Sequence, residues 1–427
     1  MDRYFGLFGV AFIFGLAFLL SNNRKAINYR QIGVGLLIQL GLAFFILKIP
    51  IGQKIFHHLG DIVTKVLGFA DQGAHFVFGV LVDKTKLTEV FGIQNSFLFY
   101  FQIIPTIIFV SALVTVAYHI GLMQLVVSFL AKIVYKLMKV SGSEALSNVA
   151  STFVGQVEAQ IMIKPYLSGM TKSELLASMS GSMACIAGGI MAVYISMGIP
   201  ASYLIAASIM AAPGALVISK IVFPEVEKSE TAGAVKLEIK KTHANIMDAI
   251  MHGAGDGMRV GVNVVAMLIA VIAIIYLLDA GLGKFGRVLC NHTAISPHFL
   301  TLDMAHLSIK NIFGSIFAPI AYLMGIPWNE AHIAGNMMGT KMALNEFLAY
   351  SDLVPMIKAK ALSPKTITIL SFALCGFANF SSIAIQVGGI GELAPERRTD
   401  LAKLGLKAMI CGTMASYLSA TIAGILM

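Results

Sequence analysis

Charge is what this chain has least of. Only 12% of its 427 residues are Asp, Glu, Lys or Arg, against 57% hydrophobic, and the mean hydropathy is +0.81. A soluble protein of this length needs far more charge to cover its surface, so a water-soluble fold is excluded and a polytopic helical membrane protein is expected. Cysteine is scarce too. Cys185, Cys290, Cys375 and Cys411 are widely spaced with no CxxC, which supports neither a disulfide framework nor a zinc site. The ten histidines include no HxxxH pair in an apolar stretch. Acidic residues are outnumbered by basic ones, giving a formal charge of +9. The excess lies in short loops (Arg24, Lys25 and Arg30; Arg397, Arg398 and Lys403), where it sets topology rather than binding nucleic acid. No small-residue cleavage site follows the first apolar stretch, which therefore reads as a retained helix.

Apolar runs of about 20 residues mark the expected crossings. They are Tyr4–Ser21, Gln31–Pro50, Phe97–Ile120, Leu175–Met197, Tyr203–Phe223, Gly257–Leu278, Ile367–Ile390 and Leu406–Met427, eight in all. With the basic loop at Arg24 to Arg30 in the cytoplasm, the N-terminus lies outside. Ile51–Thr88 carries Lys54, His57, His58, Asp61, Lys65, Asp71 and His75 at helical spacing among apolar residues, the pattern of an amphipathic helix along the interface. Lys132, Lys136 and Lys139 fit the cytoplasmic face, and Pro224–His243 reads as a charged cytoplasmic linker.

Two polar clusters interrupt this pattern: Gly155-Gln156-Val157-Glu158 and Leu344-Asn345-Glu346-Phe347. About thirty residues after each comes a polar, small-residue break inside an apolar segment, Ala184 to Gly189 and Phe377 to Ser382. An ionisable group at membrane depth costs roughly 2.5–3.5 kcal/mol on insertion scales, so it marks a functional site. Ser143–Leu167 and Lys310–Tyr350 suit re-entrant hairpins entering from opposite faces, because non-helical backbone is tolerated at depth only where protein or water covers it. A polar cluster and a break occurring twice are the footprint of an inverted repeat with binding at the midplane. The plain alternative is a helical bundle with polar packing residues. Carboxylates, amides and a hydroxyl at Gln156, Glu158, Glu346, Asn379 and Ser382 suit a neutral ligand with several hydroxyls and amide edges, such as a nucleoside, and suit a phosphate poorly. Lys164 and Lys341 read as interface anchors or carboxylate partners.

The run Val149-Ala150-Ser151-Thr152-Phe153-Val154-Gly155-Gln156-Val157-Glu158-Ala159 resembles the first-hairpin signature of concentrative nucleoside transporters. Gly339-Thr340-Lys341-Met342-Ala343-Leu344-Asn345-Glu346-Phe347 is similar to that of the second hairpin, and Ser371 through Ile383 matches the most specific segment of the family. The likeness covers nearly the whole chain and implies an all-α fold of eight spans, two opposed hairpins and an interfacial helix. It divides the chain into scaffold spans with the interfacial helix (1–142), a first transport repeat (143–223), a linker with a scaffold span (224–305) and a second repeat (306–427). It implies a homotrimer in a bacterial inner membrane, surrounded by lipid, importing a nucleoside such as uridine by elevator-like alternating access. Cofactors and nucleic acid have no part in it. Base contacts would come from Gln156, Val157 and Glu158 with Ile190 lining the pocket; ribose contacts from Glu346, Asn379 and Ser382; and Phe377 would close an apolar side.

The chain leaves the family pattern at the cation site. Sodium-coupled members carry Asn and Ser where this chain has Ser151 and Cys185; Val154 and Ile186 would offer backbone carbonyls. Sodium is a hard cation that prefers oxygen, so a thiol is a poor exchange and the set reads as vestigial. The expected coupling ion is H+, with Na+ the alternative. A proton needs one carboxylate whose pKa burial raises; Glu158 and Glu346 are the candidates, with Glu158 preferred. Val157 and Gln160 also stand where Thr or Ser, and Pro, are usual. Competing readings are a carrier for a nucleobase or pseudouridine, an intramembrane enzyme using the two carboxylates, and a channel. The enzyme lacks a nucleophile or metal-ligand spacing, and opposed hairpins would block a pore.

Overall fold

The computed structural model describes residues 2–92, 98–231, 243–292, 298–299, 302–303 and 307–427. Among these, only His298–Phe299 and Leu302–Asp303 pair as strands; the rest of the regular structure is helical. The first part holds α1 (Asp2–Leu19), α2 (Tyr29–Leu47), α3 (Pro50–Phe78), α4 (Lys84–Phe91), α5 (Phe99–His119) and α6 (Leu122–Met138). Then come α7 (Gly142–Ala150), α8 (Glu158–Ile161), α9 (Lys172–Ala184), α10 (Gly188–Met197), α11 (Ala201–Val222) and α12 (Ile246–His292). The remainder is α13 (Ile309–Leu323), α14 (Trp328–Ala343), α15 (Glu346–Lys358), α16 (Pro364–Ala373), α17 (Phe380–Leu393) and α18 (Arg398–Leu426).

Several boundaries follow from local chemistry. Ser141 and Glu144 close a capping box on α7, and Thr171 with Glu174 closes another on α9, each satisfying two orphan donors. Ser363 caps α16, with Pro364 where its missing N–H costs nothing. The amphipathic segment at 51–88 becomes the 29-residue α3, which turns Gly52, Phe56, Gly60, Leu67, Ala70 and Ala74 inward, and then α4. Most of the expected linker at 224–243 lies outside the described residues.

Lys132 and Lys136 sit on a full helix, α6, which buries Val127, Ala131 and Met138, and Lys139 follows its end. The break expected at Phe377–Ser382 falls at Leu374–Asn379, between the separate short helices α16 and α17. The α9–α10 pair is divided likewise at Cys185–Ala187. Among the described residues six segments are long and apolar enough to cross a membrane, with Phe5–Leu19 and Ile309–Leu323 as shorter apolar helices. Helix α12 runs 47 residues, well beyond the span expected there.

Repetition is visible in the order of pieces. A hairpin (α7–α8), a divided helix (α9–α10) and a continuous helix (α11) recur as a hairpin (α14–α15), a divided helix (α16–α17) and a continuous helix (α18). Helix α18 packs against α9, α11, α16 and α17 in the interior, while α5 runs along α12 outside it. The difference is large: 89% of the apolar window of α11 is buried, against 11% for α12. Helix α12 therefore presents Ile269, Tyr276 and Leu277 outward.

The two breaks lie against each other. Phe377 N–H donates to Cys185 O at 3.3 Å, and the Ser416 hydroxyl of α18 donates to Cys375 O at 3.0 Å, standing 3.4 Å from Ala184 O. Carbonyls freed where the helices stop are thus satisfied inside the protein, the condition for irregular backbone at depth. Gly376 permits the approach: its φ is +131°, and a Cβ there would stand 2.6 Å from Ala184 O.

Candidate functional site

Three helices begin at one place. Asn345 caps α15 by accepting from Leu348 N–H at 2.9 Å, and Asn379 caps α17 by accepting from Ser382 N–H at 2.9 Å. Helix α10 starts at Gly188, whose N–H donates to Phe153 O of the first hairpin at 3.1 Å. Around these starts lies a cavity of about 200 Å³. Gln156, Ile190, Glu346, Phe377, Asn379 and Ser382 all line it. Sequence positions separated by more than 200 residues are thereby brought to one site.

Glu346 is 5% exposed and is the first residue of α15, where the positive end of the helix dipole favours an anion. Its Oε1 accepts from the Tyr194 hydroxyl at 2.9 Å and its Oε2 from Asn379 Nδ2 at 3.3 Å. Asn379 thus caps one helix with its oxygen and positions a carboxylate with its nitrogen. Gln156 Nε2 donates to Ser382 Oγ at 3.4 Å, and Gln386 Nε2 donates to Gln156 Oε1 at 3.3 Å, tying the first hairpin to α17. The arrangement offers a buried carboxylate, amide groups and hydroxyls to a polyhydroxylated ligand.

Val157 and Glu158 do not line this cavity. Glu158 is exposed, its carboxylate folded back over Gly155, where a Cβ would come within 2.0 Å of Oε2. Val157 instead lies against Gly389 of α17, which has no room for a side chain there. Lys341 is no interface anchor: it is fully buried and donates to Ala373 O at 2.9 Å. Lys164 is exposed.

Sequence reasoning missed Tyr194. It sits one turn after Ile190 on α10 and is fully buried, with its ring 4.5 Å from that of Tyr350. The i,i+4 spacing from a pocket residue was the available signal. The opposite wall of the cavity was also missed: Phe99 and Ile107 of α5, and Val264 and Met267 of α12, are all apolar.

At the expected cation position, both altered side chains already have protein partners. The Ser151 hydroxyl donates to Ser147 O at 2.7 Å and lies 2.9 Å from Ser182 Oγ. Ser182 in turn accepts from Gln160 Nε2 at 2.7 Å, and Gln160 Oε1 accepts from Ser178 at 2.7 Å. Cys185 Sγ points to Ser208 O at 3.6 Å.

A membrane protein with two hairpins, two divided helices and a buried polar site between them is a secondary transporter by architecture. Comparison with known proteins identifies which kind. Residues 8–81 and 203–424 match the N- and C-terminal models of Na+ dependent nucleoside transporters, and residues 100–201 match a nucleoside recognition model. The chain is 42% identical to an uncharacterized transporter of Haemophilus influenzae, over 98% of this chain and 96% of that one. It is 38% identical to the nucleoside permease NupC of Helicobacter pylori, over 99% and 97%. The solved structure of CNTnw in an inward-facing substrate-bound state superposes with a TM-score of 0.92 at 39% identity, covering 100% of this chain and 98% of that one. The chain belongs to the concentrative nucleoside transporter family, and is an integral membrane transporter rather than an enzyme.

Proposed function

We propose that this protein imports nucleosides by proton symport, as a homotrimer in a bacterial inner membrane, with the two repeats moving as one body against the outer helices. The observation that carries the substrate assignment is the buried Glu346 carboxylate at the start of α15, held by Tyr194 and Asn379 within one cavity with Gln156 and Ser382. Two of its lone-pair sites are taken; the others are placed to accept from neighbouring ribose hydroxyls. Gln156 stands across the cavity as the partner for a base edge. What the relatives' names say of nucleosides agrees with this chemistry.

A proton is favoured over sodium by the Ser151 and Cys185 contacts. A hydroxyl engaged with Ser147 O and Ser182, and a neutral thiol, make a poor set for a hard cation. Glu158 is exposed and lies outside the ligand cavity, which removes the ground for preferring it as the proton carrier expected from sequence. One charge crossing about 100 mV gains roughly 2.3 kcal/mol, enough for a gradient of order 50-fold at about 1.4 kcal/mol per tenfold. The elevator reading is supported by the cavity walls: the polar groups come from the repeats, and the α5–α12 side is apolar. The outward apolar face of α12 suits lipid or neighbouring copies.

The experiment is labelled uridine uptake into proteoliposomes with sodium and proton gradients imposed separately. Uptake should follow the inward proton gradient and persist when choline replaces sodium. Uptake that needs sodium at fixed pH and ignores the proton gradient would remove the proton reading while leaving nucleoside transport intact.

A further inference from the structure

At the end of the outer layer, where α5 stops and α12 begins, three imidazoles and a carboxylate gather. We propose that His243, Asp248 and His252 bind a divalent transition-metal ion of the zinc class, with water as the remaining ligand and the His119 ring beside the set. The ligand atoms of the first three all lie within 4.8 Å of one another. Asp248 and His252 are one turn apart on α12 and so share a face. His243 precedes the helix and reaches the same point: its Nδ1 is 3.8 Å from Asp248 Oδ2, and His252 Nε2 is 3.7 Å from Asp248 Oδ1. Both separations are too long for hydrogen bonds, so three donor groups face a common gap without bonding one another.

Buried, unsatisfied atoms supply the second observation. Nδ1 of His243 and Nδ1 of His119 are both out of solvent and have no hydrogen-bond partner. The His243 ring stands between the other two, with ring centroids 5.1 Å from His252 and 6.2 Å from His119. The carboxylate is held from behind, since Ala244 N–H donates to Asp248 Oδ2 at 2.9 Å, the kind of outer contact that fixes a metal ligand. Tetrahedral zinc holds nitrogen and oxygen ligands about 2.0–2.2 Å away, roughly 3.4 Å from each other, so side-chain rotations of about 1 Å would close the set. Imidazoles with one carboxylate select zinc, cobalt or nickel over magnesium or calcium. His252 is 60% exposed, which leaves a path for the ion from water.

The site is separate from the ligand cavity. His119 lies twelve residues beyond Ile107 on α5, and His252 twelve residues before Val264 on α12, about 18 Å along each axis at 1.5 Å per residue. A bound ion would fasten His243, just before α12, to that helix.

The test uses the full chain purified without a polyhistidine tag, stripped with chelator and titrated with Co²⁺. The expected result is one Co²⁺ per chain with visible bands of tetrahedral intensity, displaced by stoichiometric Zn²⁺ and untouched by millimolar Mg²⁺. His243→Gln with His252→Gln should abolish the bands while the protein remains monodisperse. Should that pair fail to fold, Asp248→Asn alone should weaken binding. No Co²⁺ signal from the native chain, or an undiminished signal in the folded variants, overturns the proposal, as does displacement by Mg²⁺ as readily as by Zn²⁺.

Discussion

Replacing Glu346 by Gln keeps the shape of the cavity and removes its charge. In the native protein Oε1 accepts from Tyr194 and Oε2 from Asn379, leaving roughly two of the four lone-pair sites for ligand hydroxyls. A hydrogen bond to a charged group contributes about 1.5–3 kcal/mol net. Losing one therefore weakens binding by roughly ten- to hundredfold at about 1.4 kcal/mol per tenfold, and losing two by more. The glutamine adds a second penalty: its NH₂ group must face either Asn379 Nδ2 or the Tyr194 hydroxyl, pairing donor with donor or forcing the tyrosine to reorient. The assay is equilibrium binding of uridine and of 3′-deoxyuridine to purified native and Glu346→Gln protein. This thermodynamic cycle, one mutation crossed with one ligand change, isolates the carboxylate–hydroxyl term from general damage. Native protein should prefer uridine by tenfold or more, and the variant should bind both weakly and nearly alike. If the variant keeps the native preference for uridine, Glu346 does not read the ribose.

Tyr194→Phe removes one donor to Glu346 without changing the ring packing on Tyr350; nucleoside affinity should fall about three- to thirtyfold while thermal stability in detergent changes little, and unchanged affinity would strip Tyr194 of its positioning role. Gly376→Ala forces a side chain onto φ +131° and to 2.6 Å from Ala184 O; of order 1–3 kcal/mol of strain should appear as a lower melting temperature and lost uptake, whereas a native-like melting curve would mean that the two breaks can separate freely. Ser151→Asn combined with Cys185→Ser restores oxygen ligands at the cation position and should make uridine uptake respond to sodium; transport by this folded variant that stays indifferent to sodium would show that Val154, Ile186 and these two side chains do not make a sodium site here.

The hairpins and breaks were legible because the signals are local. A polar run such as Phe377-Ala378-Asn379-Phe380-Ser381-Ser382 inside an apolar segment cannot continue facing lipid, and its Asn is also a helix cap. What stayed hidden depends on direction or on distance in space. Glu158 and Glu346 look alike in sequence, yet one folds back over Gly155 to the surface and the other starts a buried helix. Tyr194 reads as one more large residue of an apolar span until Glu346 arrives from 152 positions away. His243, Asp248 and His252 lie within ten residues of one another, and only His119 is brought to them by the packing of α5 along α12.

The bonding pattern bears on the elevator movement proposed above. Gln156 is bonded to Ser382 and Gln386, Phe377 to Cys185, and Ser416 to Ala184 O of the first break, so both repeats are cross-linked by hydrogen bonds around the ligand cavity. Across the wall formed by α5 and α12 the contacts near the cavity differ in kind, although farther along Asp279 of α12 accepts from Ile309 N–H of α13 at 2.8 Å. Asn345 reaches Met267 Sδ at 3.8 Å and Tyr118 reaches Met162 Sδ at 3.6 Å, and methionine sulfur is a weak acceptor. Methionine also adapts its shape to changing neighbours, and Phe99, Ile107 and Val264 present only hydrocarbon to the cavity. Sliding one body along such a wall exchanges apolar contacts for other apolar contacts and leaves the strong bonds around the ligand intact. Moving one repeat against the other would instead break the Phe377–Cys185 and Gln156–Ser382 links and leave the carbonyls of Ala184 and Cys185 without their partners. The elevator movement proposed above, with both repeats passing as one body and the ligand carried between them, is the displacement that keeps these links.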